Sequence, residues 1–260
     1  MTSPSEPRTP RLYHAGARSA LPPNAALGAL FAGIASIFVI HAMAQELGWS
    51  VLVALTVSGL VMLLLPLAVM WRLGLRGDAL GLRLPRPVPV IAAVLIGTTA
   101  WLVNVRLVQL LPFKEGTLKT LNAVVDEPPL VLALLAIAVV PAVCEEVLFR
   151  GAVQRALTTR LFPIAAVAVT AVLFAGYHMS PIQLLPTFTL GVLLGGLAHR
   201  ADSVVPAMIA HFLNNTMAIL VARRQPAVLA DTIAAHPNAA LVGCAIASVV
   251  GVSLLVKGPA

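Results

Sequence analysis

Residues 129–151 read PLVLALLAIAVVPAVCEEVLFRG, in which 129–149 form a long apolar run with two adjacent glutamates, Glu145 and Glu146, close to its end. A helix crossing a hydrocarbon core of ~30 Å needs about 20 residues of this kind. The run is continuously apolar, which excludes the alternating pattern of a membrane barrel strand. Seven similar runs accompany it, at 25–44, 51–71, 88–105, 163–178, 182–198, 204–222 and 238–256. The sequence therefore predicts an all-α fold, a polytopic bundle of about eight transmembrane helices. The fifth and sixth runs are short and joined by little more than Met179, Ser180 and Pro181, so a tilted or re-entrant helix is allowed there.

Composition points the same way. Of the 260 residues 59% are hydrophobic and 10% charged, whereas a soluble domain carries about 25% charged residues. The net charge of +7 would suggest nucleic acid in a soluble protein. Here the basic residues fall in short loops, where they orient a membrane protein, and no nucleic-acid partner is expected. Residues 1–24 are rich in Pro and Arg and lack the apolar core of a cleaved signal peptide. They read as a flexible cytoplasmic tail ahead of one transmembrane domain, 25–256. No internal repeat is evident. Cys144 and Cys244 lie inside apolar runs, with neither a disulfide framework nor metal spacing.

With the N-terminus inside, 12 of the 17 basic residues fall on the cytoplasmic side, Arg72, Arg76, Arg150, Arg155 and Arg200 among them. Arg106, Lys114, Lys119, Arg223 and Arg224 fall outside. That asymmetry places both termini in the cytoplasm. Alanine-, arginine- and leucine-rich usage fits a GC-rich bacterial genome, and the expected residence is then a bacterial inner (plasma) membrane.

Eight of the ten acidic residues can be placed in tails or loops. Glu145 and Glu146 cannot, and an ionisable side chain at membrane depth costs about 2.5–3.5 kcal/mol or more on insertion scales. Such residues mark functional sites by default; the bland alternative is a pair at the interface, satisfied by Arg and water. Residues four apart share a helical face, so Glu146 can pair with Arg150. Glu145 points about 100° away, without a local cation, and suits a general base. Among the six histidines, His14, His199 and His236 sit in polar stretches, and His41 in the first run reads as a packed residue. His178 ends the fifth run, and His211 lies inside the seventh with Asn215 one turn on. His211 and Asn215 project from one face; Asn214 is turned aside.

These groups suffice for peptide hydrolysis. Glu145 and a histidine can activate water, while a histidine and the Asn amide donate to the developing oxyanion. Alternatively Glu145, His178 and His211 are the ligand set of a catalytic zinc with an open position, although the HExxH motif is missing. Neither Ser180 nor Cys144 stands at a recognised nucleophile spacing.

The set Glu145-Glu146-Val-Leu-Phe-Arg150, Phe174-Ala-Gly-Tyr-His178 and His211-Phe-Leu-Asn-Asn215 resembles, in order, the three motifs of the CPBP family, the CAAX-protease and bacteriocin-processing membrane proteins. The resemblance covers 141–220. It implies a membrane-embedded endopeptidase similar to the type II CAAX prenyl endopeptidases, acting on a membrane-associated or lipidated protein or peptide within the bilayer. It also implies that Glu145 and His178 activate water and that His211 and Asn215 form the oxyanion pocket, with Glu146 and Arg150 as scaffold or second acid. Metal dependence stays open. Competing readings are a proton-coupled transporter, in which the same residues relay protons, and a non-catalytic scaffold or immunity protein. One inconsistency is geometric. His178 is predicted about 22 Å into its helix and His211 only about 10 Å into a helix running the same way.

Overall fold

The computed structural model describes residues 20–109 and 128–257; the remaining positions, which include His14, Lys114 and most of the tail, lie outside the described residues. Nine α-helices account for most of the described residues. They are α1 (Pro23–Leu47), α2 (Val51–Arg72), α3 (Pro87–Gln109), α4 (Leu130–Leu157), α5 (Pro163–Tyr177), α6 (Pro181–Ala201), α7 (Val205–Ala222), α8 (Ala227–Ala235) and α9 (Pro237–Lys257). Seven are long and apolar enough to cross a membrane, and α5 is a shorter apolar helix between two of them. The protein is a multi-pass helical membrane bundle.

Local sequence explains the ends. Proline occupies the first turn of α1, α5, α6 and α7, where its missing N–H leaves no bond unmade and its fixed φ suits helix entrance. Gly48 closes α1 in the left-handed conformation, which costs glycine nothing. Two short elements were not anticipated, the 3₁₀ turn Gly77–Leu80 and α8; both fall in segments read as connections.

The largest difference from the sequence reading is at α4. The predicted span ends at Phe149, because Arg150 marks a loop on charge alone. The helix instead continues to Leu157 with Arg150 fully buried, so Arg150 leaves the tally of loop charges. Two stretches of α4, Leu134–Val139 and Val147–Gln154, are π-helical. They bracket the glutamate pair, and such local widening of a helix recurs at functional sites.

Around α4 pack α1, α2, α5, α6 and α7, while α3 lies against α6, α7 and α9. One apolar core joins Leu30, Met62, Leu148, Phe149, Val153 and Phe174 across α1, α2, α4 and α5. A second joins Ile96, Leu194, Leu197, Ala207 and Ala210 across α3, α6 and α7. Side chains such as Leu64, Val131 and Ile164 point outward, 60%, 66% and 82% exposed, as lipid-facing positions should. Close helix approach rests on small residues. A Cβ on Gly97 would stand 2.6 Å from the Ala210 carbonyl oxygen, and one on Gly191 would stand 3.1 Å from Ala171. Gly195 likewise packs inside the chain, against Gln154 and Val167, whereas Gly196 faces open space.

Candidate active site

The polar centre is built on α4, α5 and α7. Glu146, Arg150 and Gln154 follow one another at four-residue intervals on α4 and are all buried. Arg150 Nη1 donates to Glu146 Oε1 at 2.7 Å, and its Nη2 donates to the Gly191 carbonyl at 3.2 Å. One turn along, Gln154 Nε2 donates to the Gly195 carbonyl at 2.9 Å. The glycines of α6 thus let its backbone come near enough to serve as acceptor for two α4 side chains. The guanidinium also lies 4.3 Å from the centre of the Phe174 ring, within cation–π range. A buried cation is tolerable only with partners of this kind, and Arg150 has an anion, a carbonyl and a π-face.

His211 joins the same carboxylate. Its Nδ1 donates to Glu146 Oε1 at 2.8 Å, fixing the ring and presenting Nε2 to the rest of the site. A carboxylate holding the far nitrogen of a working histidine is a recurrent way to set its tautomer and direction.

Glu145 is 7% exposed and makes no bond to Arg150. Its Oε1 accepts from the Tyr177 hydroxyl at 3.3 Å, and its Oε2 is buried with no hydrogen-bond partner among the described residues. His178 donates from Nδ1 to the Phe174 carbonyl at 2.8 Å. A carbonyl can only accept, so the proton is on Nδ1 and Nε2 carries the lone pair. His178 packs edge-on to Tyr177 (4.9 Å between ring centres) and to Phe174 (5.0 Å), and the His211 ring meets Phe174 at 5.9 Å. Phe174 is therefore the common floor of both histidines and of Arg150.

These contacts remove the depth inconsistency. The helix α7 starts inside the protein: Ser203 and Val204 are each 1% exposed, and the Val204 N–H donates to the Gly81 carbonyl. By contrast α5 starts at exposed Phe162 and Ile164. His211 thus begins from a deeper baseline, while His178 leans back toward the start of its helix, as helical side chains do.

Asn215 has partners on two helices. Its Nδ2 donates to the Ile137 carbonyl at 2.9 Å, in the first π-helical stretch of α4, and its Oδ1 accepts from Asn214 Nδ2 at 3.1 Å. One amide hydrogen is committed to tying α7 to α4, and Asn214, read as turned aside, supports it. His41 bonds only to its own helix, at Ile37.

Zinc ligation requires three protein donors converging on one point about 2 Å from each. Among the described residues no three His, Cys, Asp or Glu side chains are grouped in that way. Glu145, His178 and His211 do not form such a group in this structure.

Sequence reasoning missed Tyr177 and Gln154. Tyr177 is adjacent to His178 and was passed over as spacer. Gln154 continues the four-residue stripe of Glu146 and Arg150, a signal hidden by ending the helix at Phe149. It also missed Asn104 of α3, which accepts from Thr189 Oγ1 at 2.6 Å and donates to the Pro186 carbonyl at 3.3 Å, joining α3 to α6.

Fold and site together define a multi-pass helical membrane protein with a buried acid–base centre shared by three helices. Residues 127–217, from just before α4 to within α7, match the family model described as type II CAAX prenyl endopeptidase Rce1-like, a match over less than half of the chain that supports a place in the CPBP family of membrane proteases. No curated protein and no solved structure matches it.

Proposed function

We propose that the protein is an intramembrane endopeptidase that hydrolyses a peptide bond of a membrane-associated or lipidated protein or peptide, by water activated at Glu145 and His178. The observation that carries this reading is the division of labour between adjacent glutamates. Glu146 is fully buried with Oε1 bound by both Arg150 and His211, while Glu145 has no cation on it among the described residues, only the Tyr177 hydroxyl on Oε1; each carboxylate keeps its Oε2 buried and unpartnered there, and that of Glu145 belongs to the acid not locked into an ion pair. An uncommitted carboxylate oxygen near a histidine whose Nε2 carries a lone pair is a proton-accepting pair.

In the proposed reaction, the water oxygen bonds to the scissile carbonyl carbon as Glu145 takes the water proton. His211, carrying protons on both ring nitrogens with Nδ1–H held by Glu146, donates from Nε2 to the developing oxyanion. The second amide hydrogen of Asn215 is available for the same oxygen. The proton then passes to the amide nitrogen, the C–N bond breaks, and a carboxylic acid, which keeps the second water hydrogen, and an amine leave. The family match over 127–217 supports the peptidase class. The substrate, a role in C-terminal processing, sorting or bacteriocin maturation, and residence in a bacterial inner membrane with both termini cytoplasmic belong to the proposal.

The test is cleavage by purified protein in lipid vesicles. Two quenched-fluorescence reporters are offered, a farnesylated peptide with a C-terminal Cys-a-a-X and an unlipidated transmembrane peptide. Wild type is expected to cleave one of them, Glu145→Gln and His211→Ala neither. Cleavage that survives both substitutions overturns the assignment. A chelator in the same assay is expected to leave the rate unchanged; loss of activity restored by a divalent cation would replace water activation by Glu145 and His178 with metal chemistry.

A further inference from the structure

We infer that Tyr177 is a positioning residue of this site, its hydroxyl orienting Glu145 so that Oε2 is the oxygen presented to water; the inference rests on the peptidase reading above. Three observations carry it. The hydroxyl reaches Oε1 of Glu145 and no other carboxylate oxygen, and Oε2 is the one left buried and unpartnered. A carboxylate free to rotate presents its two oxygens equally; a donor on one of them removes that freedom. The ring, moreover, is not free to follow some other partner. It lies 5.5 Å from the Phe149 ring on α4 and 4.9 Å from His178, which caps the end of α5. It therefore fills the space between the helix that bears the acid and the residue that bears the imidazole, and sets their separation.

The 3.3 Å contact is longer than the usual 2.7–2.8 Å of an O–H···O bond. Hydrogen bonds at catalytic groups are commonly long before substrate binds and tighten with it. A donor of this kind contributes little to folding and more to the alignment of the reacting oxygen. Tyr177 differs in this from Arg150, whose contacts are short, several and buried.

The contact predicts a kinetic signature and a spectroscopic one. Tyr177→Phe keeps the ring and removes only the hydroxyl. On whichever reporter wild type cleaves, kcat is expected to fall about tenfold with KM and melting temperature unchanged, the cost of one hydrogen bond of ~1.4 kcal/mol. A fall in melting temperature of equal weight, or a change confined to KM, overturns the positioning role. The spectroscopic measurement needs no turnover. The chain has two tyrosines, Tyr13 and Tyr177, so Tyr13→Phe isolates the Tyr177 phenol for ultraviolet resonance Raman. Its doublet is expected to show a hydrogen-bond donor and to lose that character in Glu145→Leu. A doublet indifferent to Glu145→Leu overturns the inference even if peptidase activity is established. Failure to cleave either reporter, with the doublet responding, would sink the peptidase reading while leaving the contact standing.

Discussion

Arg150 and Glu145 respond to substitution in opposite ways. Arg150 is fully buried, pairs with Glu146, bonds to Gly191 and stacks on Phe174. Truncating one partner of a buried pair leaves the other charge stranded and costs about 3–5 kcal/mol. Arg150→Ala is expected to lower the unfolding transition in detergent strongly. Arg150→Lys is expected to recover little, because an ammonium cannot reproduce the planar fork or the stacking. Glu145→Gln removes a proton acceptor that holds no partner except Tyr177. It is expected to abolish cleavage by about 10²–10⁴-fold with the unfolding transition unchanged. The pair Glu146 and Arg150 was legible from four-residue spacing alone, as was the separateness of Glu145. The binding of His211 to Glu146 was not. They lie 65 positions apart, and helical periodicity carries no information about which helices meet.

At the scale of elements, the decisive contacts are those where a side chain is replaced by nothing. Gly97 brings α3 against the backbone of Ala210, next to His211. A Cβ there would come within 2.7 Å of the Ala210 Cα and 2.6 Å of its carbonyl oxygen. Backbone cannot swing aside as a flexible side chain can. Gly97→Ala is expected to cost about 1–3 kcal/mol and to reduce cleavage, since α7 must shift with its histidine. Gly196→Ala, which meets nothing within 4 Å, is the matched control and is expected to be neutral in both assays. Apolar runs made the spans readable, and prolines marked several of their starts. The extension of α4 past Phe149 was not readable, because an arginine looks the same in a sequence whether it is solvated or enclosed. Its acceptor, the Gly191 carbonyl, is backbone and leaves no trace in residue types.

For the whole molecule, the end of the bundle where α4 finishes is tied by charge. Asp202, at the α6–α7 turn, accepts from Arg155 at 2.6 Å and from Arg83, and Ser203 Oγ donates to the Arg83 carbonyl at 2.7 Å. These partly exposed bridges are worth at most about 1 kcal/mol each, but they set where α7 begins and hence the depth of His211. Asp202→Ala is expected to lower kcat severalfold while shifting the unfolding transition only slightly. Equal proportional losses in the two would show that the tie serves stability alone. The membrane class and the three-helix origin of the site could be read from hydropathy and from polar residues out of place. The common depth of His178 and His211 could not, because it depends on where a turn sits within the bundle.

The shortness of α5 bears on a question of supply. Fifteen residues span about 22 Å, less than a hydrocarbon core of ~30 Å, and the helix gives out beside Glu145. Met179 and Ser180 follow in non-helical backbone, with Met179 at φ 48°. Lipid offers peptide groups no hydrogen bonds, so irregular backbone at that depth requires enclosing protein or water. A bilayer that thins around a truncated helix brings bulk solvent toward the acid, and each turnover consumes one solvent molecule. Cleavage is therefore expected to be faster in vesicles of short-chain lipid than in those of long-chain lipid, at equal protein incorporation. Rates independent of acyl length would mean that the reactant arrives by another route.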